Sequence, residues 1–370
     1  MTTRLLKEGQ IVNGTYEVER YLGEGAFSEV YRVNHRFLGR QAMKVFKSSG
    51  MTVEDVETLL EEAVLLSRIG HPNIIRVFDA NTTDTKNQIL GFFTMEYVAG
   101  GSLDQFWQSH SGRLVPVDTS VEIVRQACRG LAVAHVEKPP IIHRDIKPQN
   151  LLVGYDASGL RIRISDFGLA KRVNPLTQHA SARGTRVFKA PETFIDYQSD
   201  SPAGDVWALG VTLYLLLTDR LPYLANGPDG TLEDERFARP LISPSHLNIL
   251  VDKDLECIVL RSLALRAEDR YRTAQDFLLD LDHWRPGSQL GRLQTKPSAH
   301  SDDPKSALGP HASASEPMAR KKAAKALQLA RQASGLVEAA DLMEEAMNEC
   351  PGLREEYETQ LRLWRRGVTM

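Results

Sequence analysis

The chain has 370 residues, which is long enough for one large domain and a smaller appendage. Apolar residues make up 42% and charged residues 25%, the composition of an ordinary globular protein. The formal net charge of −3 gives no reason to expect nucleic acid or a membrane surface as the main partner. No apolar run approaches the roughly 18–20 residues that cross a bilayer, and the longest, Val206–Leu217, predicts a buried helix.

The N-terminus and the cysteines favour a reducing compartment. Residues 1–15, an N-terminal extension, carry Glu8 and lack an apolar signal core. Cys128, Cys257 and Cys350 are far apart and match no metal-ligand spacing. Buried thiols are therefore favoured over disulfides or a metal site, and we expect a cytoplasmic protein.

Alternating apolar and polar residues predict two strands, over Tyr16–Gly25 and Ser28–Asn34. The glycines of the segment Gly23–Val30 permit a tight hairpin whose backbone N–H groups can approach phosphate oxygens. By itself such a hairpin is more often an ordinary turn. A nucleotide-binding βαβ unit is the competing interpretation, but no helical pattern follows Gly25 within the required distance.

A third strand is predicted over Gln41–Phe46, where apolar residues flank Lys44. A lone lysine in an apolar strand usually lies at an edge or extends its ammonium group toward water. Helical periodicity follows over Thr52–Ile69. Another apolar run, Ile89–Val98, leads into a short stretch containing two glycines.

The stretch His143–Asn150 carries the most chemistry. It contains an acid, Asp145, a cation, Lys147, and an amide, Asn150, and a predicted hairpin then returns the chain to a second acid, Asp166. Phosphoryl transfer needs this set of groups. One carboxylate accepts the proton of an incoming hydroxyl, a lysine neutralises the transferring phosphate, and an asparagine and an aspartate hold magnesium.

These motifs resemble those of the eukaryotic-type protein serine/threonine kinase family. His143–Asn150 matches the pattern H-R-D-x-K-x-x-N, Asp166–Gly168 matches D-F-G, and Ala190–Glu192 matches A-P-E. The segment that begins at Gly23 matches G-x-G-x-x-G-x-V, except that Ser28 replaces the third glycine.

The resemblance spans residues 16–285 and implies an α+β fold with two lobes. Residues 16–98 would form a small antiparallel sheet with one helix and the hinge. Residues 99–285 would form a larger, mainly helical lobe, with ATP between the two. The compact small lobe and the few cysteines favour a bacterial member of the family.

The same resemblance implies the roles of the site residues. Asp145 is the catalytic base, Lys147 stabilises the transferring phosphoryl group, and Asn150 and Asp166 bind Mg²⁺, or Mn²⁺ in its place. The nucleotide-binding positions come from both lobes and are Gly23, Gly25, Val30, Ala42, Lys44, Glu62, Glu96, Val98 and Leu152.

Within that set, Lys44 would contact the α- and β-phosphates and would be held by Glu62 of the following helix. Glu96 and Val98 would hydrogen-bond adenine through their backbone. Two small or apolar side chains would enclose the adenine ring, namely those of Ala42 and Leu152.

The chain between the D-F-G and A-P-E motifs resembles the activation segment of the family. Arg144 precedes the catalytic aspartate, and in this family such an arginine is often neutralised by a phosphate on that segment. Ser181 is the first candidate for this phosphate and Thr177 the second, with an ordinary polar loop residue as the alternative for each. Thr185 is a third candidate, but it is expected mainly to hydrogen-bond the catalytic residues.

Three residues of the large lobe are expected to be structural. Asp205 resembles the acid that caps the backbone of the catalytic loop. Glu192 and Arg270 would form a buried salt bridge, and loss of one partner should cost about 3–5 kcal/mol.

Residues 286–318 are rich in Pro, Ser, Gly and Ala and predict a flexible linker. Helical patterns follow over Ala319–Ser334, Leu336–Cys350 and Leu353–Arg366, the first basic and the second acidic. Residues 319–370 are similar to a tetratricopeptide-like helical module. The module either docks on a partner protein or a second copy, or folds back on the kinase domain. The first alternative is slightly favoured, because a solitary helical hairpin exposes an apolar face.

The sequence therefore predicts an active protein serine/threonine kinase that uses ATP and Mg²⁺ and phosphorylates proteins, including its own activation segment. The pair Lys147-Pro148 favours serine or threonine over tyrosine as acceptor. A pseudokinase scaffold is the first alternative, although every chemical position is filled. A small-molecule kinase is the second, and the full activation segment argues against it. No nucleic-acid or membrane partner is expected.

Overall fold

The structure, a computed structural model, describes most of the chain. The described residues are 4–25, 28–47, 60, 69–85, 88–110, 114–167, 186–195, 200–223, 237–238, 240–286, 316–332 and 335–368. Several predictions lie outside these residues: most of the helix over 52–69 with Glu62, most of the linker, and the phosphorylation candidates Thr177, Ser181 and Thr185.

The small lobe contains one antiparallel sheet of six strands in the order β1-β2-β3-β4-β6-β5. The strands are β1 (Ile11–Val12), β2 (Tyr16–Glu24), β3 (Ser28–His35), β4 (Gly39–Phe46), β5 (Val77–Thr85) and β6 (Gln88–Glu96). The alternating pattern has a simple cause, because every second side chain points to the same face. Val18, Tyr31 and Val33 thus share one apolar core, while Ala42 of β4 belongs to the core of the large lobe.

The large lobe is mainly helical. Its elements are α1 (Leu103–Gln108), α2 (Val117–His135), β7 (Leu151–Asp156), β8 (Gly159–Ile164), α3 (Glu192–Ile195), α4 (Pro202–Thr218), α5 (Pro244–Leu247), α6 (Lys253–Ser262) and α7 (Ala274–His283). Helix α4 contains the longest apolar run and is buried almost throughout. Ser201 caps its first turn, with a proline at the next position, and Asp219 ends it in the left-handed conformation.

Three helices follow at the C-terminal end: α8 (Glu316–Leu329), α9 (Leu336–Glu349) and α10 (Gly352–Arg365). Their apolar faces form a core of their own, and that core includes Tyr155 from β7 of the large lobe. The helices therefore fold back on the rest of the chain, which is the second of the two arrangements considered for them.

The predicted α+β, two-lobed architecture is confirmed, with a curled antiparallel sheet in one lobe and helices in the other. Among the described residues, no helix is long and apolar enough to cross a membrane.

Candidate active site

Asp205 supports the loop His143–Asn150, which carries the predicted catalytic motif. Its carboxylate accepts the backbone N–H groups of His143 at 2.8 Å and Arg144 at 2.9 Å. His135 lies with Nε2 at 3.1 Å from the same carboxylate. Burial alone would raise the pKa of Asp205, but these hydrogen bonds and the nearby histidines hold that pKa below its usual range. The residue is therefore an ionised, satisfied anchor in the first turn of α4.

The backbone next to these contacts is strained. Arg144 has φ 68° and Asp166 has φ 55°, in the left-handed region that residues other than glycine rarely adopt. Such conformations persist only where the surrounding contacts enforce them, and they cluster at functional sites. The hydrogen bond from the Arg144 N–H to Asp205 is one such contact.

Asp145, Lys147 and Asn150 converge within the loop. The Nζ atom of Lys147 lies 2.9 Å from Oδ2 of Asp145. A 3-10 turn over Pro148–Asn150 brings the amide of Asn150 back, and its Nδ2 atom donates to the Asp145 carbonyl at 2.7 Å and to Oδ2 at 3.1 Å. The carboxylate of Asp145 is thus held between a cation and an amide.

Asp166 joins this group from the other end of the β7–β8 hairpin. Ser165 donates its N–H to the carbonyl of Asn150 at 2.9 Å, which places the following residue beside the loop. Oδ1 of Asp166 lies 2.5 Å from Nζ of Lys44, which belongs to β4 of the small lobe. The site therefore includes an ion pair between the two lobes, while Glu62, the predicted partner of Lys44, lies outside the described residues.

His143 has a packing role beneath the site. Its ring lies 4.5 Å from the ring of Phe167, and its Nε2 is 3.0 Å from the carbonyl of Ser165. Burial lowers the pKa of His143, so the imidazole is neutral at pH 7. His143 is thus a structural link between the catalytic loop and the D-F-G segment.

The predicted nucleotide positions of the small lobe lie on neighbouring strands. Gly23 of β2 is paired with Val30 of β3, and Val30 with Lys44 of β4. Ala42 lies opposite Met95 of β6. The N–H of Gly25 donates to the carbonyl of Ser28 at 2.8 Å and so narrows the glycine-rich hairpin.

The remaining predicted positions come from the hinge and the large lobe. The N–H of Glu96 already donates to the backbone carbonyl of Arg76 at 2.9 Å, so an adenine contact at Glu96 would use the Glu96 carbonyl. The side chain of Glu96 pairs with Arg163 at 2.7 Å. Val98 and Leu152 are half-buried at the edge of the core of the large lobe.

Arg144 has a partner that the sequence analysis missed. Its Nε atom donates to Oδ2 of Asp200 at 2.7 Å, and its carbonyl accepts from Nζ of Lys189 at 2.5 Å. These residues line a pocket beside Asp145, between the catalytic loop and the start of α4. The only signal in the sequence was an acid immediately before the helix cap Ser201, which is too common a pattern to single out.

Arg270 and Glu192 form the salt bridge expected from the sequence motifs. The pair is bidentate, with nitrogen–oxygen distances of 2.8 and 2.7 Å, and the arginine side chain is fully buried. The carbonyl groups of Ala264 and Leu265 accept further N–H groups of the guanidinium. The charge is therefore well compensated.

The donor set near Asp145 fits a hard divalent cation and a phosphate. The carboxylate of Asp166 and the amide oxygen of Asn150 are oxygen ligands of the kind that Mg²⁺ prefers. Lys44 contributes a cation beside Asp166, and Lys147 contributes another beside Asp145. Positive and negative groups are thus arranged for a phosphate together with its metal.

A family model described as "Protein kinase domain" matches residues 16–291. The solved kinase domain of Mycobacterium tuberculosis PknI is similar in fold, with a TM-score of 0.57 and 25% identity. That comparison covers 75% of this chain and 98% of the PknI chain.

Named serine/threonine-protein kinases are also similar in sequence. ATG1c of Arabidopsis thaliana is 33% identical over 259 residues, which are 70% of this chain and 34% of that protein. Pkn1 of Myxococcus xanthus is 33% identical over 270 residues, 71% of this chain and 37% of that protein. PknB of Mycobacterium leprae is 32% identical over 273 residues, 72% of this chain and 42% of that protein. The aligned part of the chain thus spans less than half the length of each of these relatives.

Proposed function

Because the chain belongs to the protein kinase family, we propose that it transfers the γ-phosphoryl group of ATP to serine or threonine hydroxyls of proteins. One observation carries the proposal. Asp145, Lys147 and Asn150 form one hydrogen-bonded group, and Asp166 reaches across from it to Lys44 in the other lobe. This set contains each group that phosphoryl transfer requires.

Asp145 is the group that positions the acceptor. Its carboxylate is fixed by Lys147 and by the amide of Asn150, so it keeps one orientation toward an incoming hydroxyl. In this position it would accept the proton of the serine or threonine while the hydroxyl oxygen bonds to the γ-phosphorus and the bond from that phosphorus to the departing ADP breaks. The nearby ammonium group of Lys147 offsets the charge that develops on the transferring group.

The nucleotide and its metal would be held by residues of both lobes. When bound, ATP would supply the phosphoryl group and Mg²⁺ would offset the negative charge of the phosphates. Asn150 and Asp166 would hold the metal, with Mn²⁺ as a substitute, and Lys44 would hold the phosphates. The apolar surface for adenine would come from Val30, Ala42 and Leu152.

The activation segment would be a substrate of the enzyme itself. Ser181 remains the first candidate, followed by Thr177 and Thr185. Arg144 already pairs with Asp200, so a phosphate on Ser181 would bring a second anion to the same guanidinium. Its five N–H donors can serve both partners.

The cellular setting completes the proposal. We place the protein in the cytoplasm on the basis of its cysteine usage. Its substrates are proteins, and a partner or a second copy could bind the outer face of the C-terminal helices.

The test is autophosphorylation with γ-labelled ATP and Mg²⁺, followed by mapping of the labelled residues. We expect label on the wild type and a decrease of about 10²- to 10⁴-fold in Asp145→Asn. Asp254→Asn, an exposed acid on α6, is the matched control and should keep the wild-type rate. Equal labelling of wild type and Asp145→Asn would overturn the catalytic assignment. No labelling of either protein, with ATP binding intact, would indicate a scaffold.

A further inference from the structure

Helix α9 carries acidic side chains that contact the small lobe and the hinge. Glu345 accepts a hydrogen bond from Nη2 of Arg20 on β2 at 2.7 Å. The same Oε1 atom accepts the hydroxyl of Tyr97, at 3.0 Å, from the chain just after β6. Arg32 on β3 approaches Glu345 to 3.5 Å. The carboxylate of Glu345 thus contacts two strands of the small lobe and the hinge.

The neighbouring residue of α9 contacts the large lobe. Oε1 of Glu344 accepts the backbone N–H of Tyr155 in β7 at 3.2 Å and Nε of Arg365 at 3.0 Å. The Glu344 side chain is only 1% exposed, so this contact lies inside the interface. Because Glu344 and Glu345 are adjacent on one helix, a single rigid element is tied to both lobes.

A second contact with the small lobe lies one turn earlier. Arg40 on β4 is 3.4 Å from Oδ2 of Asp341 and 3.6 Å from Glu338. Arginines on three consecutive strands of the small lobe therefore face the acidic side of α9. The pattern of charges on the two surfaces is complementary.

Helices α9 and α10 also lie close to the large lobe. A Cβ atom at Gly154 would lie 3.7 Å from Oε2 of Glu344 and 3.0 Å from Val98. At Gly159, where φ is +117°, it would lie 2.6 Å from Nη2 of Arg362. Arg354 lies over the ring of Phe106 at 3.9 Å. The C-terminal helices thus approach the backbone of the β7–β8 hairpin closely, with Glu344 beside Gly154 and Arg362 beside Gly159.

We propose that residues 336–366, which we call the hinge bracket, hold the two lobes in the orientation in which Lys44 meets Asp166. That ion pair is formed at 2.5 Å in the arrangement with the bracket docked. Kinases are among the proteins whose domains close around a ligand by hinge motion. A helix fixed to both lobes beside the hinge favours the assembled site, and its release favours separated lobes. The inference rests on the proposed function only for its consequences in catalysis.

The test uses charge reversal on the full chain. Glu345→Lys should weaken the binding of a fluorescent ADP analogue about fivefold and speed hydrogen exchange at the Tyr155 amide. Glu356→Lys is the matched control, because Glu356 is an exposed residue of α10 whose ion pair is with Arg320 of α8. That control should bind nucleotide as the wild type does. The double variant Arg20→Glu with Glu345→Lys should recover at least half of the loss.

Two outcomes would overturn the proposal. One is wild-type nucleotide affinity and exchange in Glu345→Lys. The other is a double variant no better than the single one. If Glu345→Lys does not fold, Arg40→Gln gives the same comparison with a smaller expected loss of about twofold. All of these measurements can be made in an Asp145→Asn background, so a failure of the proposed kinase activity leaves them interpretable.

Discussion

Two buried carboxylates accept hydrogen bonds from the backbone of a neighbouring segment, and they differ in how well their negative charge is compensated. Asp205 and Glu344 are each only 2% exposed. Asp205 accepts two backbone N–H groups and has His135 beside it, and its pKa is held below its usual range. For Glu344, burial raises the pKa to about 7, although Arg365 and the Tyr155 N–H act against this.

The difference comes from the donors and not from the depth of burial. Asp205 does not share its donors with another acid among the contacts described, whereas Glu344 shares Arg365 with Asp341. A buried charge is stable only when enough hydrogen bonds and opposite charge replace its hydration. Asp205 therefore keeps its charge in the fold, whereas Glu344 takes up a proton more readily than an ordinary glutamate does.

The largest expected effect is at Asp205. Asp205→Asn keeps the shape, but it places an amide N–H₂ group against backbone N–H donors and removes the charge beside His135. We expect the free energy of unfolding to fall by about 3–5 kcal/mol, with loss of phosphoryl transfer. Urea denaturation at pH 7 measures this, with Asp254→Asn as the exposed control. A loss of stability no greater than that of the control would show that Asp205 is not the well-compensated buried charge described above.

The pH dependence of Glu344 comes next. Between its ordinary pKa of 4.5 and about 7, the folded state binds more protons than the unfolded state at this residue. Its contribution to stability is therefore present below about pH 4.5 and lost as the pH rises through 7. Relative to Glu344→Gln, the wild type should lose about 3 kcal/mol over this window.

Thermal unfolding of both proteins between pH 5 and 8 tests this difference. The wild-type melting temperature should fall relative to that of Glu344→Gln as the pH rises. A constant difference would mean that Glu344 is ionised throughout and that the two carboxylates are alike.

A smaller effect is expected from removal of the cation that serves the bracket. Arg365→Met leaves Asp341 and Glu344 without their shared guanidinium. Protonation of Glu344 relieves part of the cost, so we expect a loss of about 2 kcal/mol. Hydrogen exchange in α9 and α10 should speed up while exchange in α4 does not change. Equal acceleration in all three helices would show that the bracket and the large lobe unfold together.

The smallest effect is expected at an exposed pair of the same tail. Arg320 pairs with Glu316 and Glu356, and about half of its side chain is exposed. Arg320→Gln should leave the free energy of unfolding nearly unchanged, because such pairs gain little in water. Chemical denaturation of this variant provides the baseline for the other substitutions. A loss of stability comparable to that of Arg365→Met would show that burial does not determine how much an ion pair contributes to the free energy of unfolding.

The sequence predicted elements in which one face decides the structure. Strands β2 and β3 and helix α2 have strong periodicity because one face of each meets a core. Strand β4 and helix α4 could be predicted from their apolar runs instead, and α4 is buried almost throughout. Strand β5 was not predicted. Its sequence, Val77–Thr85, contains Asp and Asn residues, which are depleted in strands, and the strand forms because it pairs with β6 at the edge of the sheet.

The candidate site divides in the same way. The grouping of Asp145, Lys147 and Asn150 could be predicted because it is local and follows a motif. The pairing of Arg144 with Asp200 and that of Arg20 with Glu345 could not. Arg20 and Glu345 are 325 positions apart in the sequence, and no local sequence pattern indicates which of the many surface charges will pair. The packing of the C-terminal helices α8 to α10 against the rest of the chain could not be predicted either, because it depends on the complete tertiary structure.

The bracket and the lobes it joins belong to one polypeptide, and this changes how strong their contact must be. The connection between α7 and α8 has 32 residues, 284–315, which reach at most about 115 Å when fully extended. Confinement to a sphere of that radius corresponds to an effective concentration of roughly 0.3 mM. An interface with a dissociation constant near 10 µM would thus be almost fully occupied within each molecule at any dilution. A separate protein competing for the same arginines would need either a much tighter contact or a comparable local concentration.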